Sequence, residues 1–254
     1  MARLNGRVAI VTGGARSIGA AFAKGLAAEG AKVVVADLEP ADETLGVIKQ
    51  FGGDAMSVVT DVTNESSCEE MTAKTIEAFG RLDILVANAG LWVHLERQAA
   101  TDIDVSDWEN VMSVNVKGVW LSAKAAIPGM LKNEYGKIIT VTSTRAMKGG
   151  ANMLHYDTSK GAVIGMTRSL AREYGPMGIR ANAIAPGATD TEISQALADE
   201  TQKVRRVASA RARAIKRAEE PDDLVGACLH LASPESDFMS GQTMVVDGGR
   251  RRRS

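Results

Sequence analysis

Short apolar runs alternate with longer, helix-patterned stretches along almost the whole chain, and this alternation restricts the fold more than any other feature. Runs at residues 8–11, 33–36, 55–59, 84–87, 137–141, 179–185 and 243–246 read as seven strands. Between them, residues 66–79, 106–130, 154–174 and 222–231 carry helical spacing. The stretch after the first strand sets Ile18, Phe22 and Leu26 four residues apart, keeps Ala21 and Gly25 small for close packing, and stops near Gly30. Continuous apolar strands separated by helices predict an α/β protein whose parallel sheet is covered on both faces. A single doubly wound domain over residues 1–254 is expected, with seven parallel strands. The one long irregular or inserted region, 186–221, has the size of a lid, so a substrate lid is expected at about 187–221 and a flexible tail at about 250–254.

The 45% hydrophobic content of the 254 residues is ample for one large core. Cys68 and Cys228 lie far apart without C-x-x-C spacing, which points to a reducing compartment. No secretory h-region follows Met1 and no apolar run approaches a bilayer span, so a cytoplasmic protein without membrane contact is expected. A net charge of -1 gives no field that would gather nucleic acid. Basic clusters at 203–217 and 250–253 read first as a solvated helix face and a frayed tail. His94 and His155 are too scattered for a metal site, and none is expected.

At the end of the first strand stands Thr12-Gly13-Gly14-Ala15-Arg16-Ser17-Ile18-Gly19. A strand that turns through glycines into a helix N-terminus presents free backbone N–H groups and the positive end of the helix dipole to a pyrophosphate. Eighteen residues beyond Gly19, at the end of the second strand, comes Asp37. A carboxylate there accepts hydrogen bonds from ribose hydroxyls and repels a 2′-phosphate, which favours NAD over NADP. Arg16 pulls the other way, since a guanidinium in the turn can receive that phosphate.

With these residues in place, the chain resembles the short-chain dehydrogenase/reductase family over nearly its whole length. Residues 12–19 resemble its T-G-x-x-x-G-x-G turn, with Ser17 in place of the middle glycine, where its hydroxyl is expected to cap the helix. Asp61-Val62 resembles the pair that meets the adenine. Ala87-Asn88-Ala89-Gly90 resembles the N-N-A-G strand end, with Ala87 departing at its first position. Pro186-Gly187 with Thr191 resembles the P-G-x-x-x-T loop. Asn115, Ser143, Tyr156 and Lys160 resemble the Asn-Ser-Tyr-Lys tetrad, Ser143 preceding Tyr156 by thirteen residues. The resemblance implies a Rossmann fold, a nicotinamide cofactor and a homotetramer with interfaces on the helices around 106–130 and 154–174 and on the C-terminal strand. It implies cofactor contacts from Gly13, Arg16, Ser17, Ile18, Gly19, Asp37, Leu38, Asp61, Val62, Asn88, Ala89, Gly90, Tyr156, Lys160, Pro186, Gly187, Thr189 and Thr191.

Hydride transfer at an alcohol carbon needs a proton to leave or join the oxygen at about the same time. Lys160 falls one helical turn from Tyr156, so its ammonium is expected to lower the phenol from about 10 toward neutral pH. Ser143 is expected to hold the substrate oxygen beside Tyr156. By the resemblance, Asn115 holds a helix kink and a water through which Lys160 passes the proton to solvent.

Substrate contacts are expected from Trp92, Ser143, Arg145, Asn152 and Tyr156, with His94, Met147, Met153 and Leu154 nearby in sequence. Arg145 either pairs with an anionic group on the substrate or binds a backbone carbonyl or an acid of its own chain. In the lid, Arg205, Arg206, Arg211, Arg213 and Arg217 raise the same alternatives. The expected activity is NAD-dependent oxidation of a small secondary alcohol or polyol, or reduction of the ketone, with an anionic substrate left open. A 3-oxoacyl-carrier reductase is the alternative enzyme, which Asp37 disfavours. A redox-sensing nucleotide-binding protein is the non-enzymatic alternative, which the intact tetrad disfavours.

Overall fold

A computed structural model of the chain describes residues 2–92, 95–196, 198 and 200–250, with side chains for all of these except 200–203, 205 and 206. Seven strands form one wholly parallel sheet: β1 (Val8–Thr12), β2 (Lys32–Asp37), β3 (Ala55–Val59), β4 (Ile84–Ala87), β5 (Gly136–Val141), β6 (Ile179–Pro186) and β7 (Thr243–Val246). Their order is β3-β2-β1-β4-β5-β6-β7, so the chain reverses its direction of travel between β1 and β4. That reversal opens a crevice at the carboxyl ends of the strands, where ligands of such sheets bind. The expected doubly wound, seven-stranded parallel sheet is the observed fold.

The helices are α1 (Ser17–Ala28), α2 (Asp42–Gln50), α3 (Glu65–Phe79), α4 (Val105–Met112), α5 (Gly118–Lys132), α6 (Arg145–Lys148), α7 (Leu154–Tyr174), α8 (Glu192–Ala196), α9 (Glu200–Ala212) and α10 (Asp222–Ala232). One face of the sheet packs Phe22 and Leu26 of α1 against Leu224, Cys228 and Leu231 of α10. The other packs Met71 of α3, Val119, Ala126 and Met130 of α5, and Val163 and Leu170 of α7. Strands β1, β4 and β5 are buried along their full length, as strands covered on both faces must be.

Two expectations need correction. The stretch at 106–130 is interrupted: α4 and α5 are joined by a π-helical turn, Ser113–Lys117, which holds Asn115. A π turn adds a residue to the helical ladder, which the i, i+4 pattern of the sequence does not disclose. The region 186–221 is only partly irregular, since it contains α8 and α9. The polar character of α9 hid it, because little of its surface follows an apolar stripe. Residues 251–254 of the expected tail lie outside the described residues. Among the described residues, no helix is long and apolar enough to cross a membrane.

Candidate active site

Four elements converge at the carboxyl end of β5. Ser143 follows that strand and is buried, its Oγ accepting from Arg145 N at 3.2 Å at the start of α6. Tyr156 and Lys160 lie one turn apart on α7 and are 7% and 4% exposed. Ser143 hydrogen-bonds to the Tyr156 hydroxyl. Lys160 Nζ donates to Val141 O at 2.9 Å and lies 5.9 Å from the centre of the Tyr156 ring. Its own carbonyl accepts from Thr142 Oγ1 at 2.7 Å, so α7 is tied to the strand end at both ends of this side chain.

Asn115, fully buried in the π turn, spends its side chain on neighbouring loops. Its Oδ1 accepts from Leu91 N at 2.7 Å, and its Nδ2 donates to Leu91 O at 3.2 Å and to Ser159 Oγ at 3.1 Å. Ser159 in turn donates to the Tyr156 carbonyl at 2.8 Å. A Cβ on Gly90 would stand 3.1 Å from Asn115 Oδ1 and 3.2 Å from Lys160 Nζ, so glycine there leaves open the space that both groups border.

The expected tuning of Tyr156 is not what this geometry produces. Burial pushes the phenol up to about 12, against the Ser143 hydrogen bond and the Arg145 charge, which pull it down. Burial also pushes Lys160 down to about 8. Desolvation dominates, and the Lys160 nitrogen is directed at Val141 O rather than at the phenol. At neutral pH Tyr156 keeps its proton.

Trp92 packs over Tyr156 with ring centroids 4.5 Å apart and planes inclined at 51°. Arg145 resolves its alternatives toward the acid. Its Nε and Nη2 donate to the two carboxylate oxygens of Asp157 at 2.6 and 2.9 Å, and Nη2 also reaches Gly150 O at 3.3 Å. Such a fork leaves little of the guanidinium for a substrate anion. Asn152 is exposed and adopts a left-handed backbone, φ 66°, beside the buried Met153. His94 lies outside the described residues.

At the other end of the crevice, Gly13 has φ 62°, and a Cβ there would come within 2.9 Å of Ala89 Cα, so glycine lets the first turn approach the end of β4. Asn88 Nδ2 donates to Thr12 O and Gly13 O, both at 3.0 Å, and Ala89 N donates to Thr12 Oγ1 at 3.1 Å. Gly19 packs so tightly on Gly13 that any side chain would collide with its carbonyl. Asp37 accepts from Ala15 N at 3.0 Å, which ties the acid to the turn, while Arg16 and Leu38 are exposed. Asp61 accepts from Thr63 N at 2.9 Å, and Val62 is buried against Gly118.

Ser17 does not cap α1. Its backbone is left-handed, φ 54°, and its N and Oγ donate to Glu192 Oε1 of α8 at 2.8 and 2.9 Å. Partial burial opposes the charge of Glu192, but hydrogen bonds from its own backbone and from Ser17 outweigh this and hold the carboxyl below its usual range. An oxyanion thus already rests on the N-terminus of α1, as a pyrophosphate oxygen would, so the turn suits a dinucleotide. Thr191 exchanges hydrogen bonds with Ser194 at 2.9 and 3.2 Å, and Thr189 Oγ1 donates to Glu219 Oε1 at 2.7 Å. Sequence reasoning missed Glu192 and Glu219, since neither belongs to a local motif.

Two arginines of the basic lid are paired within the chain, while the Arg211 side chain is exposed. Arg213 pairs with Glu219 and Arg217 with Asp223. The side chains of Arg205 and Arg206 lie outside the described residues.

A family model described as Enoyl-(Acyl carrier protein) reductase matches residues 13–251. The chain belongs to the short-chain dehydrogenase/reductase family. It is 37% identical to glucose 1-dehydrogenase 2 of Bacillus subtilis, covering 97% of this chain and 95% of the relative. It is 34% identical to the 3-oxoacyl-[acyl-carrier-protein] reductase FabG of Thermotoga maritima, covering 97% and 98%. Among solved structures, an NAD(P)-dependent gluconate 5-dehydrogenase from Beutenbergia cavernae with bound NADP, described as putative by those who solved it, superposes with a TM-score of 0.87 at 34% identity, covering 96% of each chain. This short-chain dehydrogenase/reductase is an oxidoreductase that interconverts alcohols and ketones with a nicotinamide cofactor, NAD or NADP, and acts on small molecules.

Proposed function

We propose that the chain is an NAD-preferring dehydrogenase of a small, uncharged secondary alcohol or polyol, or the reductase of the matching ketone. The observation that carries this reading is the burial of Ser143, Tyr156 and Lys160 together beside the exposed face of Trp92. When bound, the nicotinamide supplies or takes up the hydride. Tyr156, neutral at pH 7, donates its proton to the carbonyl oxygen in reduction and must first lose it to act as base in oxidation. Ser143 shares that oxygen and holds it in line. Lys160, brought by burial to about 8, is still mostly charged at neutral pH but gives up its proton more readily than an exposed lysine, and restores the proton through the gap beside Gly90 and Asn115. Trp92 forms the flat wall against which the carbon skeleton of the substrate lies.

Gly13, Arg16, Ser17, Ile18 and Gly19 hold the pyrophosphate, Asp37 and Leu38 the adenosine ribose, and Asp61 and Val62 the adenine. Asn88, Ala89 and Gly90 back the nicotinamide ribose, and residues 186–191 close over the nicotinamide. Asp37, directed at the turn by Ala15 N, supports NAD over NADP, because a 2′-phosphate would face that charge. An uncharged substrate is favoured over an anionic one because Arg145, Arg213 and Arg217 are each paired within the chain.

Residues 187–221 form the substrate lid of one cytoplasmic domain. A homotetramer is supported by β7, a half-buried strand at the edge of the sheet, and by Phe238, which stands fully exposed nearby in sequence. The test is a panel of alcohols, polyols and hydroxy acids, charged and neutral members paired, assayed with NAD and NADP. We expect turnover of neutral members with NAD. A higher kcat/KM with NADP, or for the acids, overturns the corresponding half of the reading.

A further inference from the structure

Two charged side chains are buried where the lid region begins and ends. Arg213 is 2% exposed and Glu219 4%, with Nη2 and Oε2 3.4 Å apart. Burying two charges carries a large desolvation cost, and a pair of packed apolar residues would serve stability at least as well. The partners of this pair show what it does instead. Glu219 Oε1 accepts from Gly187 N at 3.0 Å and from Thr189 Oγ1 at 2.7 Å. Arg213 Nη2 donates to Ala188 O at 2.7 Å, and Nη1 donates to Arg217 O at 3.0 Å. The Glu219 carbonyl accepts from Asp190 N at 2.6 Å, completing an isolated parallel bridge between Thr189 and Glu219. Three consecutive residues, 187–189, are therefore each reached by the side chain of Arg213 or Glu219, Gly187 N being shared with Val246 O at 2.9 Å, and Asp190 is held by the Glu219 backbone.

The contact is also close enough to dictate sequence. A Cβ at Gly187 would stand 2.5 Å from Glu219 Oε2 and 3.0 Å from Asp247 Cβ, so this glycine answers to the carboxylate behind it. From the far side, Gly248 and Gly249 press on the chain at Arg213 and Ala214, and their carbonyls accept from Ile215 N and Ala214 N. The two strands of the excursion and the turn after β7 make one polar collar at the carboxyl edge of the sheet.

We infer that Arg213 and Glu219 are positioning residues for the cofactor: through this collar they set the path of residues 187–190 and so the affinity for the nicotinamide half. The inference rests on the proposed use of residues 186–191 to hold that half. Neither side chain touches the reacting atoms, so the effect falls on dinucleotide binding rather than on the chemical step. Lysine at 213 keeps the charge but lacks the planar fork that reaches Ala188 O, Arg217 O and Glu219 together. Glutamine at 219 keeps the shape and the acceptor but leaves Arg213 without its counter-charge.

The experiment measures NADH and NADPH dissociation constants, kcat at saturating dinucleotide, and Tm for the wild type, Arg213→Lys, Glu219→Gln and the double variant Arg213→Met/Glu219→Gln. Both single variants are expected to weaken dinucleotide binding by about ten- to a hundredfold while kcat changes less than about threefold. The double variant, with no stranded charge, should regain much of the wild-type Tm and yet keep the weakened binding. Recovery of Tm and binding together would make the pair merely structural and overturn the inference. So would unchanged binding in Arg213→Lys, the variant that keeps a buried cation and hence the fold, should Glu219→Gln fail to fold. A wild type that binds neither dinucleotide would instead overturn the reading of the crevice, and the inference with it.

Discussion

At the Tyr156 corner the polar side chains end on backbone groups or on one another within β5, α7, the π turn and the adjoining loops. At the α1 corner the two Ser17 donors end instead on a carboxylate from the lid region. Lys160 reaches Val141 O and Asn115 reaches Leu91, contacts that need only the sheet and its flanking helices. Ser17, by contrast, is held by Glu192, 175 residues away. One corner is built with the sheet. The other depends on where α8 comes to rest.

The largest effect that tests this contrast is at the built corner. Tyr156→Phe removes the hydroxyl and leaves the ring packed against Trp92, so turnover is expected to drop by more than about a hundredfold with dinucleotide affinity within about twofold of wild type. Stopped-flow hydride transfer and NADH titration of the same preparation check both halves. Retention of more than a few percent of activity would take the proton away from Tyr156.

A smaller, graded effect follows from the protonation states. With the phenol pushed up to about 12, its ionised fraction at neutral pH is small and rises about tenfold per pH unit. Oxidation, which uses the ionised form, should climb steeply between pH 6 and 8, whereas reduction, which uses the neutral form, should stay nearly level. A level oxidation profile would mean that another group accepts the proton.

The same contrast governs how much could be read from sequence. Strands such as 55–59, 84–87 and 243–246 are legible to the residue, because apolar runs bounded by turns report burial directly. Tyr156 and Lys160 share a face because helical register is local, and Asp37 lies at its strand end for the same reason. The lid arginines leave their alternatives open for the opposite reason. Arg213 and Arg217 announce positive charge, but their partners, Glu219 and Asp223, are acids whose spacing looks like any other surface pattern until β6, α9 and α10 are assembled. Arg145 likewise left open whether its acid would be a substrate or a neighbour, and Asp157 answers on the next helix. The π turn around Asn115 escaped because one added residue leaves the apolar stripes on either side intact.

Glu192 supplies the smallest and most discriminating test of the assembled corner. Its Oε1 sits on Ser17 N and Oγ, donors that the pyrophosphate reading assigns to the cofactor, and the helix dipole favours whichever anion is present. Two anions cannot share those donors without mutual repulsion, so dinucleotide entry must move the carboxylate aside. Glu192→Gln keeps an acceptor for Ser17 but removes the charge, and it is expected to tighten NADH binding by about three- to tenfold with kcat at saturation unchanged. The gain should shrink at high salt, because the side chain is exposed and its field is screened. Weaker binding in this variant would reverse the assignment, making Glu192 a latch that holds the lid down over the dinucleotide rather than an occupant that yields to it.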